Sequence, residues 1–296
     1  MTDYRGKEEK ALREEALRLK AEGWQLLRSG HIQGGDCLAA AYDKLAAAEE
    51  RFRSVGDVEG LIGTLSGMGI CLRATGTKEN IVRALEHYRE ELHLLESENR
   101  LQEACLYSSN VSVCLRDLAM VDETVALMHI MEGLEFTSEY LEMSVENRVP
   151  KATASSYSNL ADLTVLLAEH EPDPQHREEH IKMAGSLYGQ AISAWEGLDE
   201  EGQVLASMGL AQVYIDMGRN LAGAEDLLLD ALEFYRGYEG GEIKYQVAQV
   251  HSLLAALMAR DGREEESARH QETAVRIFEE LGFAAPSSGQ GQEEED

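Results

Sequence analysis

His176, Glu179 and His180 fall in EHEPDPQHREEHIKMAG (169–185) and spell H-x-x-E-H. That is the inverted zinc-peptidase spacing, in which two imidazoles one helical turn apart hold the metal and the carboxylate between them acts as base. A working centre also needs a third ligand. His170 is near in sequence, but Pro172 and Pro174 separate it from the helix. Asp173-Pro174 reads as an N-cap followed by proline at the first helical position. Glu178 and Glu179 then sit in the first turns, where the helix dipole favours negative charge. His180 continues the stripe Ala184, Tyr188, Ala191, Trp195. A helix start therefore accounts for the whole motif. His176 and His180 are the remaining metal candidates, and neither a metal nor another cofactor is expected.

No G-x-S-x-G, G-x-x-x-x-G-K-[ST] or strand-led G-x-G-x-x-G occurs. Cys105 and Cys114 have His87, His93 and His129 nearby in sequence, but on unrelated helix faces. The cysteines Cys37, Cys71, Cys105 and Cys114 form no C-x-x-C pair, and they read as packed free thiols in a reducing cytosol. The chain is therefore not expected to be an enzyme.

The elements that would carry these residues are helical throughout. Long runs are rich in Ala, Leu, Glu and Arg, the residues that lose least on entering a helix. Aromatic residues are 6% of the chain and prolines number 4, and no stretch alternates apolar and polar residues over strand length. The fold class is all-α. A formal charge of -28 repels phosphate backbones and anionic lipid, so nucleic acid and membrane surfaces are excluded as partners. The charged start MTDYRGKEEK lacks an apolar signal region, and a cytoplasmic location is expected.

A pattern of a small residue, a large one, a third core position and another large one, at spacings of four, three and four, recurs. It reads Ala41/Leu45/Ala48/Phe52, Ala84/Tyr88/Glu91/Leu95 and Thr124/Met128/Met131/Glu135. It continues as Ala184/Tyr188/Ala191/Trp195, Ala224/Leu228/Ala231/Tyr235 and Ser267/Gln271/Ala274/Phe278. These spacings place side chains on one helix face. Preceding helices carry small residues at Gly23, Gly69, Ser112, Ala161, Ala211 and Ala255. Gly30, Gly76, Gly218 and Gly262 are expected to close four of them.

On these repeats, and on the turn Phe52-Arg-Ser-Val-Gly56-Asp57, the chain resembles the tetratricopeptide repeat (TPR) family. The similarity is to its longer variety of roughly 40 residues, as in kinesin light chains and G-protein-signalling modulators, against about 34 in the standard repeat. The resemblance implies a right-handed solenoid of about six antiparallel helix pairs over 10–282. The repeats fall at 10–56, 57–99, 100–146, 150–199, 200–240 and 241–282, after an N-terminal extension, 1–9. Residues 283–296 are small, polar and acidic and read as a disordered tail.

In that family the first helix of each pair lines a concave groove. Carrying the register over assigns Asn110 and Asn159 to equivalent groove positions, where a carboxamide can hold a peptide backbone. Arg73 and Arg116 are likewise equivalent and would favour an acidic segment. Ser66, Ser109, Ser158, Asp162, Gln212 and Trp24 complete the expected groove. The implied function is a non-catalytic scaffold for a protein or an extended peptide. The alternative is a peptide-sensing regulator whose superhelix closes on its ligand. A homo-oligomer through an uncapped end is compatible with either.

Overall fold

The computed structural model describes residues 2–33, 35–238 and 240–281. Among them every regular element is an α-helix: α1 (Thr2–Gln33), α2 (Gly35–Val55), α3 (Val58–Arg73), α4 (Lys78–Ser97), α5 (Leu101–Val121), α6 (Ala126–Glu146), α7 (Pro150–Glu169), α8 (Pro174–Trp195), α9 (Glu200–Met217), α10 (Leu221–Tyr235), α11 (Gly241–Arg260) and α12 (Glu264–Glu280). Consecutive helices form antiparallel pairs, as the sequence pattern requires. None of the described helices is long and apolar enough to cross a membrane. The acidic tail expected at 283–296 lies outside the described residues.

Two compact units divide the chain, Met1–Ala206 and Ser207–Asp296. In the first, each helix from α1 to α7 packs on the next in sequence. α1 also meets α3, and α5 meets α7, so first helices of successive pairs are neighbours. In the second, α10 packs on α11 and α11 on α12.

The buried sets follow the predicted stripes closely. Ala41, Leu45, Ala48 and Phe52 are fully buried, and Ala84, Tyr88, Glu91, Leu95, Ala224, Leu228, Ala231 and Tyr235 nearly or wholly so. Small residues opposite them set how near the next helix comes. A methyl group on Gly60 would lie 2.3 Å from the Phe52 ring, one on Gly69 2.5 Å from Tyr88, and one on Gly202 2.8 Å from Trp195. The α2–α3 turn is built as its residues suggest. Gly56 takes a φ of 66°, open to glycine, and the Asp57 carboxylate accepts from Gly60 N at 2.9 Å.

Two expectations are corrected. In the third repeat Thr124, Met128, Met131 and Glu135 are exposed, and the buried set is Ala126, Ile130, Gly133 and Thr137, two residues later. Thr124 precedes α6 and bonds Asp122 in the turn at 2.5 Å. Gly133 admits the Leu163 side chain, and Thr137 donates to Ser112 Oγ at 2.8 Å. Small and hydroxyl-bearing residues thus hold the interface that two methionines were expected to fill. The second correction concerns Gly30, which does not end its helix, because α1 continues to Gln33. Gly76, Gly218 and Gly262 do follow helix ends with positive φ.

Candidate functional site

The H-x-x-E-H segment is a helix start. Asp173 accepts from Gln175 N at 2.9 Å and His176 N at 3.1 Å, with Pro174 opening α8. These two backbone bonds hold the Asp173 carboxyl below its ordinary range. His176 and Glu179 are exposed, while His180 turns toward Glu171, 3.8 Å away.

The residues that do converge come from α3, α5, α7 and α8. Arg73 Nη1 donates to Asp117 Oδ2 at 3.1 Å. Arg116 Nη2 reaches the other oxygen of Asp117 at 3.2 Å, and its Nη1 reaches Asp162 Oδ2 at 2.6 Å. Tyr188 OH completes the row by donating to Asp162 Oδ1 at 2.6 Å. Two guanidinium groups and two carboxylates alternate across successive helices. Burial works against the charge on Arg116, but Asp162 and Asp117 outweigh it and hold its guanidinium above its ordinary range. The sequence pattern does not single out Asp117, and it gives Tyr188 only as a core position of α8; their place in this row depends on which helices are adjacent.

Asn110 and Asn159 lie on the same helices, α5 and α7, two residues before Ser112 and Ala161. Both are half-buried. Neither side chain forms a hydrogen bond among the described residues, so both carboxamides keep their donors and acceptor. Ser109 and Ser158 hydroxyls turn back onto their own helices, to Leu106 O and Ala154 O. Trp195 Nε1 of α8 donates to Ser158 Oγ at 3.3 Å.

The α1 side of this face is occupied by packing. Trp24 Nε1 donates to Gly63 O at 3.2 Å, and its ring lies over Gly67. Lys20 Nζ donates to Gly60 O at 3.1 Å. Ser66 is buried beside Glu91 of α4. Glu91 is fully buried and neither of its oxygens has a hydrogen-bond partner. Burial pushes its carboxyl up to about 8, and Ser66 and Lys20 pull against that shift only in part. In the second unit, Gln212 Nε2 donates to Asp216 Oδ1 at 2.6 Å.

The thiols carry no reactive signature. Cys71, Cys105 and Cys114 are buried, and burial raises Cys71 to about 11 and Cys114 to about 12. A thiol so raised stays protonated at neutral pH and is a poor nucleophile.

No family model matches the chain, and no curated protein matches it. Among solved structures it is similar to the crystal structure of BtubC (BKLC) from P. vanneervenii, at 16% identity and a TM-score of 0.48, covering 97% of this chain and 98% of that chain. It is also similar to the DHF58 filament at 16% identity and a TM-score of 0.17, covering 92% of this chain and 96% of that chain. Neither likeness bears on function.

Proposed function

We propose that the chain is a non-catalytic binding scaffold of the TPR kind, and that it takes an extended peptide along the face shared by α5 and α7. The observation that carries this reading is the pair Asn110 and Asn159, equivalent in register and half-buried, with side chains free of hydrogen bonds among the described residues. A peptide backbone presents a donor and an acceptor at each residue, and a carboxamide answers both whatever the peptide sequence. The ion-pair row shares helices α5 and α7 with them. Arg73 and Arg116 are already engaged by Asp117 and Asp162, so an acidic peptide would have to displace those carboxylates. Selection therefore rests mainly on the backbone, with acidity secondary.

The test is panning of a random dodecapeptide library on the full chain, followed by fluorescence anisotropy with the enriched peptides. Asn110→Ala/Asn159→Ala is expected to bind at least about tenfold more weakly, the scale of losing two peptide-backbone hydrogen bonds. Equal affinity for the variant, or no enrichment at all, would reject the reading.

A further inference from the structure

The face of α6 turned away from the core has a composition unlike a solvated helix surface. On a helix of about 3.6 residues per turn, the side chains of Leu127, Met131, Glu135, Glu142 and Val145 share one arc with Met128, Glu139 and Glu146. Leu127 is 49% exposed, Met128 56%, Met131 57% and Val145 56%. The opposite arc carries the buried Ala126, Ile130, Gly133, Thr137, Tyr140 and Ser144. α6 packs on α5 and α7 through that buried arc and leaves the other open. At the end of α5, Met120 and Val121 are exposed as well, immediately before the turn into α6.

The open arc is divided along its length. Its first turns are apolar, with Leu127, Met128 and Met131. Its later turns carry Glu135, Glu139, Glu142 and Glu146, which enter no ion pair among the described residues. By contrast Glu132, at the edge of the arc, is paired with Arg89 of α4. Unbranched thioether side chains fit many apolar shapes, and clusters of exposed ones mark adaptable docking surfaces. Four unpaired carboxylates beside them supply charge of one sign. The complementary shape is a helix with apolar side chains at one end and lysine or arginine at the other.

We infer that α6 docks a basic amphipathic helix of a partner protein, its apolar turns on Leu127, Met128 and Met131 and its cationic turns on Glu135, Glu139, Glu142 and Glu146. This surface lies on the second helix of its pair, and its occupant differs from the extended peptide proposed for α5 and α7. The two sites can be filled or lost independently.

A fluorescein-labelled synthetic helix of 20 residues, leucine-rich in one half and lysine-rich along one face of the other, is the direct probe. Anisotropy titrations would compare it with a scrambled peptide of the same composition and with a version carrying Glu for Lys. The protein variants are Met128→Gln/Met131→Gln, Glu135→Gln/Glu139→Gln/Glu142→Gln and, as a charge-matched control remote in sequence, Glu264→Gln/Glu265→Gln/Glu272→Gln. All these positions are exposed, so the fold is retained, and circular dichroism checks it. The expected result is tight binding of the amphipathic peptide alone, at least tenfold weaker for either α6 variant and unchanged for the control. Equal binding of the scrambled peptide, or equal losses in the control, would reduce the effect to the net charge of -28 and overturn the inference. So would sedimentation of the wild type as a dimer that Met128→Gln/Met131→Gln dissociates, because a second copy would then cover the face.

Discussion

Arg116 of α5 donates to Asp162 of α7 at 2.6 Å, and Asp162 at the same time accepts from Tyr188 of α8 at 2.6 Å. One carboxylate thus joins three helices. Removing the guanidinium leaves Asp162, partly buried, without its cation, and Asp117 with Arg73 alone. Arg116→Ala is expected to destabilise the chain by about 1–3 kcal/mol, between the values for exposed and for buried pairs. Urea unfolding of Arg116→Ala, Asp162→Ala and the double variant checks this. The two losses should fall short of additive when combined, since the residues touch.

Glu91 makes stability depend on pH in a stated direction. Its carboxyl has an ordinary value of 4.5, raised to about 8 in the fold. Between those values the folded chain holds a proton that the unfolded chain has released. The contribution is full below about pH 4.5 and falls as pH rises toward 8, by on the order of 5 kcal/mol across the window. Urea midpoints at pH 6 and pH 8.5 should therefore separate more for wild type than for Glu91→Gln. Identical separations would mean that Glu91 is not protonated in the fold.

Glycine in these helices serves close approach in some places and nothing in others. A methyl group at Gly69 meets the Tyr88 ring at 2.5 Å, while one at Gly189 meets nothing within 4 Å. Gly69→Ala should cost about 1–3 kcal/mol, as overpacked cores do. Gly189→Ala should stabilise by roughly 0.5–1 kcal/mol through helix propensity. Thermal unfolding of the two variants, side by side, distinguishes packing from propensity.

His251 of α11 and His270 of α12 place their Nδ1 atoms 2.8 Å apart. One ring must donate and the other accept, so at least one is neutral. Burial lowers His251, and the neighbouring His270 and Arg276 lower it further. Burial lowers His270 too, while Glu266 partly opposes it. With folded values depressed, the stabilisation is complete above the unfolded value of 6.5 and is lost as pH falls through the folded values. Thermal midpoints at pH 7.5 and pH 5 should differ less in His251→Gln/His270→Gln than in wild type.

Much of this architecture is legible in the residues. Alanine at the first and third positions of a stripe, with a large residue between, marks a helix that another crosses closely, and Ala41/Leu45/Ala48/Phe52 packs as such. The third repeat misleads because its interface uses Ala126, Gly133 and Thr137, which carry little hydrophobic signal, while Met128 and Met131 carry much. Hydropathy favours the methionines for the core, but helix α6 starts at Ala126, and its contacts with Ser112 and Leu163 fix the register. The equivalence of Arg73 and Arg116 is visible in the repeats. Their engagement by Asp117 and Asp162 is not, since it depends on which side chains meet across helices more than 40 residues apart in sequence. Glu91 stands out on inspection as a charged residue in an alanine position. Its lack of a partner follows only from the packed interior around it.

On this proposal Asn110 and Asn159 hold the backbone of a bound peptide. The most direct measurement is a heteronuclear NMR titration of asparagine-labelled protein with a dodecapeptide enriched on the full chain, following the side-chain amide resonances. The Asn110 and Asn159 carboxamides are expected to shift together and to saturate at the affinity measured by anisotropy. Saturable binding that leaves both carboxamides unmoved would contradict it.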